Sequence, residues 1–154
     1  MDAVPQERGD RLTWIIGVGA PTIAWVAHSL LGLSMVPTDI PSWIWMFGAG
    51  PLLEELAFRP LLQRGIQERI PPWLESTGVM RPLSGSADHL ANFIVGLAFV
   101  AAHIPQQGWS AVWWIVPSLA IGEIWRRRRK LWPCVLMHAW FNASLTAATL
   151  VAVR

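Results

Sequence analysis

The chain has 154 residues, the size of one domain, and is 53% hydrophobic and 14% charged, with eleven Trp and a mean hydropathy of +0.39. Soluble domains carry about 25% charged residues, so this balance excludes a disordered chain and a nucleic-acid module built on surface charge. A single Cys excludes a disulfide scaffold. Leu12 to Val36 holds no Asp, Glu, Lys or Arg. At about 1.5 Å per residue it can cross a hydrocarbon core of roughly 30 Å. Ile40 to Leu53 is apolar and runs on through charged residues to Leu62. Leu90 to Ile104 is a third apolar segment. Trp109 to Trp125 is a fourth, with one charge, Glu123. Leu131 to Val153 is a fifth. The expectation is an all-α, multi-pass membrane bundle of about five transmembrane helices, folded as one integral domain over 1–154.

The stretch before Leu12 contains Asp2, Glu7 and Asp10, and the apolar run after it exceeds a signal-peptide core, so a cleavable signal is not expected. The end of the chain carries no prenylation box. The long connection from Gly65 to Asp88 contains Pro71, Pro72 and Pro82, and its Ile66 to Trp73 part could lie along the membrane interface. Basic residues are strongly one-sided. Arg8 and Arg11 precede the first helix. Arg59, Arg64, Arg69 and Arg81 lie between the second and third, and Arg126 to Lys130 between the fourth and fifth. The connections Pro37 to Asp39 and Pro105 to Gly108 have none. The positive-inside rule therefore predicts a cytoplasmic N-terminus and an external C-terminus. The Arg-Arg-Arg-Arg-Lys run reads as a topology anchor rather than a nucleic-acid patch.

Charged groups inside a bilayer cost about 2.5–3.5 kcal/mol each even on the lenient insertion scale. Those present here are Glu54, Glu55 and Arg59 in the second helix and Glu123 in the fourth, accompanied by the polar His28, His103, His138 and Asn142. Glu55 and Arg59 are four apart and can pair. Glu54 points about 100° away with no local partner. An unpaired, partly dehydrated carboxylate holds a proton more readily, which suits a general base near neutral pH. Phe99 and His103 share a face, as do His138 and Asn142. His28 reads as a packed or hydrogen-bonded core residue, Glu123 as a partner of the neighbouring Arg run, His89 as solvated, and Cys134 as a small buried apolar residue. Glu54, His103, His138 and Asn142, on three helices, are difficult to explain as packing. Counted from the inner ends of the apolar runs, Glu54 and His138 lie about 10 Å deep but His103 about 20 Å, a mismatch that helix tilt must close. The face on which such a site opens stays undecided.

These residues resemble the motifs of the CAAX prenyl endopeptidase and bacteriocin-processing family of membrane proteins. Glu54-Glu55-Leu56-Ala57-Phe58-Arg59 matches Glu-Glu-x-x-x-Arg. Phe99 to His103 matches Phe-x-x-x-His, and His138 to Asn142 matches His-x-x-x-Asn. Each motif alone is weak; three in order, each in or at the end of an apolar helix, are specific. The resemblance covers about residues 40–150 and leaves helix one outside. Pro60 stands where the family usually has Gly, and the helices are few. The resemblance implies a glutamate-dependent intramembrane endopeptidase. Glu54 and His103 would activate a water, His138 and Asn142 would stabilise the oxyanion, and Glu55, Arg59 and Phe99 would support them. No cofactor is implied. Two His and a Glu could bind zinc, but His-Glu-x-x-His is absent and Asn is a poor ligand, so no metal is expected.

The implied partners are membrane lipid and a membrane-associated protein substrate, with no nucleic acid. One Lys against eleven Arg suits a GC-rich genome and hence a bacterial inner membrane. By family analogy, the small size fits an enzyme that removes the C-terminal tail or anchor of exported proteins. The rival reading is a non-proteolytic membrane scaffold, a bacteriocin self-immunity protein or a proton path.

Overall fold

The computed structural model describes residues 6–69 and 86–152. Among them every regular element is helical. Helix α1 spans Gln6–Leu31. Helix α2 is composite and covers 40–69, with π-helical stretches at Trp45–Ala49 and Ala57–Gln63. Helix α3 spans Ser86–Gln107. A 3-10 segment, Gly108–Trp114, leads into α4, Ile115–Arg128, and α5 spans Leu131–Ala152.

Among the described residues three tracts are long and apolar enough to cross a membrane: Arg11–Leu31, Ala87–Arg128 and Leu131–Ala152. The count of five separate spans expected from the sequence is therefore not reached on length and apolarity. The second tract is nearly continuous helix. Its two arms, α3 and α4, turn against one another at Gly108, whose φ of +59° needs a residue without a Cβ. Composite α2 carries Glu54, Glu55, Arg59 and Arg64 and lies outside the three tracts.

Helix α5 is the centre. It is apolar nearly all round, as a helix enclosed by others should be, and Cys134, His138, Phe141, Asn142, Leu145 and Thr149 are all buried. Helix α1 lies against it through a small-residue face: Ala20, Ala24 and Ala27 are buried, and a Cβ on Gly17 would touch Met137. Without a hydrophobic drive between helices in lipid, such small faces let backbones approach and gain dispersion contact. Two buried clusters hold the rest. One joins Phe99, Trp114 and Leu145 to Ala24, Ala27 and Leu33. The other joins Ile121, Ile124 and Trp125 to Cys134, Met137 and Phe141. The outer surface is apolar too, with Trp14, Leu30, Ile40, Trp109, Trp132 and Leu136 all exposed. That is expected where lipid is the solvent and abnormal in water.

The sequence reading extended helix one to Val36, but α1 stops at Leu31. Gly32 takes φ +64° and donates to the His28 carbonyl, while the His28 ring donates from Nδ1 to the Leu33 carbonyl at 2.7 Å. His28 thus closes the helix end. Residues 32–38 then run without helix to Asp39, which caps α2 by accepting from the Ser42 N–H at 2.8 Å. At the other end, Arg129 adopts φ +50° and its N–H returns to the Trp125 carbonyl, ending α4 one residue before the turn into α5. The interfacial stretch expected from Ile66 to Trp73 lies outside the described residues from 70 onward.

Candidate active site

The site is assembled by α2, α3 and α5. On α2, Glu55, Arg59 and Gln63 follow at intervals of four and are fully buried in a row. Arg59 Nε donates to Glu55 Oε2 at 2.7 Å. Its Nη1 reaches Gln63 at 3.2 Å, and Nη2 reaches the Ser118 carbonyl and hydroxyl at 3.1 and 3.3 Å. Gln63 in turn donates to the Gly122 carbonyl at 3.2 Å. The guanidinium therefore bolts α2 onto α4 with its donors used, which a buried charge requires. A Cβ on Gly122 would lie 1.7 Å from Asn92 Oδ1 and 2.9 Å from Arg59 Nη1, so the close approach demands glycine there.

Glu55 has a second partner. Its Oε1 accepts from His138 Nδ1 at 2.8 Å. This fixes the orientation of the His138 ring and turns Nε2 toward Glu54, 3.7 Å from Oε2. On α3, His103 Nδ1 donates to the Phe99 carbonyl at 2.8 Å, so its Nε2 is left to face Glu54 Oε2 at 3.8 Å. Glu54 Oε2 is buried and has no protein hydrogen-bond partner. Two imidazole nitrogens thus flank one carboxylate oxygen, each just beyond direct hydrogen-bond reach. The mismatch between Glu54 and His103 closes because α2 runs to residue 69, well past the apolar limit at Leu62, while His138 stays about 10 Å from the start of α5. Glu54 lies about 22 Å from that inner end, comparable with His103 in α3.

Phe99 holds the two rings. It stacks on His103 with centroids 4.4 Å apart and meets His138 edge-on at 5.8 Å, with Phe58 against its other side at 5.0 Å. Asn142 lies one turn above His138. Its Nδ2 donates to the Met46 carbonyl at 2.8 Å, leaving one further amide hydrogen. The reason is local. In the π stretch Gly50 N–H bonds the Trp45 carbonyl, so the next donor in that register would be residue 51, a proline. Asn142 replaces it. The cavity enclosed here measures about 210 Å³, and Glu54, His103, His138, Asn142, Trp114 and Met35 are among its lining residues.

All four residues singled out from the sequence line one cavity, with Glu55, Arg59 and Phe99 directly behind them. Glu123 lies elsewhere, paired with Arg126 at 2.7 Å and Arg127 at 2.6 Å, and Cys134 is buried and does not line the cavity. Gln63, Ser118, Gly122, Met46 and Trp114 were missed. Gln63 had a sequence signal, the interval of four after Arg59. The others reach the site by tertiary contact alone. Among the described residues no group of three or more His, Cys, Asp or Glu is disposed to hold a metal ion.

The chain belongs to the type II CAAX prenyl endopeptidase Rce1-like family, whose model matches residues 36–144. No curated protein and no solved structure matches it. The family is one of membrane proteases, so the coarse function is that of a peptidase acting on a protein substrate at a membrane. The match begins at Val36 and leaves α1 outside.

Proposed function

We propose that this family member is a glutamate-dependent intramembrane endopeptidase in which Glu54 is the general base. The observation that supports this best is the convergence of His103 Nε2 and His138 Nε2 on the unpartnered Glu54 Oε2. A water between them would donate one hydrogen to Glu54 and the other to the lone pair of His103 Nε2. Its oxygen attacks the scissile carbonyl carbon as Glu54 takes the proton. The resulting oxyanion accepts from His138 Nε2–H and from the second Asn142 amide hydrogen. Glu55, accepting at His138 Nδ1, stabilises the doubly protonated ring and is a positioning residue. Collapse of the intermediate breaks the C–N bond, and Glu54 returns its proton to the leaving amine.

The same reading takes 1–154 as one domain, with the protease core over about 40–150 and five spans, α2 and the two arms of the second apolar tract each crossing once. It places the N-terminus in the cytoplasm of a bacterium. The cavity is lined by Met35, Gln106, Gln107 and Trp114, at the end of the bundle opposite Arg64 and Arg126 to Lys130. With basic residues inside, that mouth faces the exterior, which suits a substrate that has already been exported and presents its C-terminal tail.

The test uses the protein reconstituted in vesicles with randomised ten-residue peptides that carry a fluorophore–quencher pair and a C-terminal hexadecyl anchor. The wild type should cleave a subset and Glu54→Gln none. An active Glu54→Gln protein would eliminate the mechanism. A strong chelator should leave the wild-type rate unchanged; a loss restored by Zn²⁺ would favour a metal held by Glu54, His103 and His138.

A further inference from the structure

The catalytic cavity continues into a groove of about 640 Å³, and Met35, Met46, Gln107 and Trp114 line both. One wall of the groove is residues 31–36. Past Gly32 this wall has no helical hydrogen bonding. Its burial alternates: Leu33 and Pro37 are buried and Met35 is half-buried, while Ser34 and Val36 are exposed. That is the period of an extended chain. One edge is engaged, since the Leu33 carbonyl accepts from His28 and the Met35 N–H donates to Thr149 Oγ1 at 3.4 Å. In extended chain, neighbouring residues present their N–H and C=O to opposite edges. The backbone groups of Ser34 and Val36 therefore belong to the other edge. Among the described residues nothing in the protein bonds them.

A peptide bond inside a helix is a poor substrate, because its carbonyl is hydrogen-bonded and wrapped by side chains. Unwinding it for attack leaves N–H and C=O groups that need partners in apolar surroundings. We propose that the free edge of Ser34–Val36 supplies those partners: the substrate residues beside the scissile bond dock as an added strand, held extended across the cavity mouth. The mode is strand addition, in which main-chain bonds give affinity and pockets for alternate side chains give selectivity. Leu31, Leu33, Met46, Trp114 and Leu145 make the groove mostly apolar, so the occupant is an apolar peptide segment. Residues 32–35 precede the family match, which begins at Val36. The inference rests on the peptidase reading and specifies where its substrate binds.

The test takes the best-cleaved anchored peptide from the set above and methylates its backbone nitrogens one at a time beside the cleaved bond. Alternate positions should raise KM by roughly three- to tenfold, the value of one main-chain bond, with intervening positions nearly silent. Ser34→Pro, which removes an N–H that would donate to a substrate carbonyl, should raise KM itself and leave the alternating N-methyl pattern, which reads the carbonyls of that edge, in place. Cross-linking gives an independent readout. Cys134 is buried, so Ser34→Cys provides the accessible thiol. In Glu54→Gln protein it should capture a bromoacetyl version of the peptide, competed by the unmodified peptide, whereas Leu30→Cys on the exposed outer face of α1 should not. If Ser34→Pro fails to fold, cross-linking decides. Uniform methylation effects together with no capture at residue 34, while wild type cleaves and Glu54→Gln does not, would overturn the docking edge and leave the peptidase intact. No cleavage by wild type would overturn both.

Discussion

Glu54 and Glu55 are adjacent, yet the helix turns them to different tasks. Glu55 is fully buried and answered by Arg59 and His138, while Glu54 faces the cavity with an unpartnered oxygen. Glu54→Gln keeps size and hydrogen-bonding but cannot take a proton. Cleavage should fall by the general-base contribution, about 10²–10⁴-fold, while the protein still inserts, as read by peptide turnover and membrane abundance. Asn142→Ala should cost about 10²–10³-fold in kcat as an oxyanion donor, and it also strips the Met46 carbonyl of its partner. Arg59→Met leaves Glu55 buried without its cation and should destabilise the fold by about 3–5 kcal/mol, measured by denaturant unfolding in detergent. Adding Glu55→Gln should recover part of that stability but not activity, because His138 loses its carboxylate. The Glu55–Arg59 pairing was legible from the interval of four. The His138 contact was not, since 83 positions separate it from Glu55.

At the scale of elements, prolines decide which carbonyls look for partners. Pro21 has no N–H for the Gly17 carbonyl one turn below, and Trp140 Nε1 donates to that oxygen at 2.7 Å. Pro51 leaves the Met46 carbonyl to Asn142 in the same way. Both substitutions tie a neighbour to α5, so the prolines lock helix to helix. Trp140→Phe should cost about 1–3 kcal/mol by orphaning the Gly17 oxygen, more than its half-exposed ring suggests. Gly122→Ala drives a Cβ into Asn92 and Arg59 and should cost about 3 kcal/mol, separating α4 from α2. Thermal unfolding of the two variants beside wild type checks both. The cap at the start of α2 predicts a pH effect. Hydrogen bonds from the Ser42 hydroxyl and then its N–H hold the Asp39 carboxyl below the usual carboxylate range. A lowered folded value means the contribution is present above the ordinary carboxylate pKa and lost as pH falls through the lower one. Hydrogen exchange at the Ser42 amide should accelerate, relative to its unstructured rate, only in that acidic window.

For the whole molecule, the one-sided basic residues and the open end of the cavity make a joint prediction. Reporter fusions at residue 128 should be cytoplasmic and those at 106 external. The reverse would turn the active site inward and remove exported proteins as substrates. Fusions at residue 39 should agree with 106 if α1 and α2 each cross once.

Apolar run length and the placing of charges among apolar residues were local properties, and they sufficed for a helical membrane protein and for singling out Glu54, His103, His138 and Asn142, which line one cavity. Helix ends were less legible. The reach of α1 was overestimated because Leu33, Met35 and Val36 are as apolar as the helix before them; Gly32 and the His28 ring end it by backbone geometry that hydropathy does not register. The number of spans was less legible for a related reason: α2 keeps its charges because Arg59 finds Ser118 and Gln63 finds Gly122 on a helix some sixty residues away, so its apolarity alone does not mark it as a span. Tertiary packing alone decided that Glu55 also meets His138 and that the unpartnered Glu54 faces the cavity. It also brought the connector at residues 32–38 beside the cavity that Glu54 lines. Such contacts depend on distances between helices, and the chain encodes those only through the sum of all its side chains.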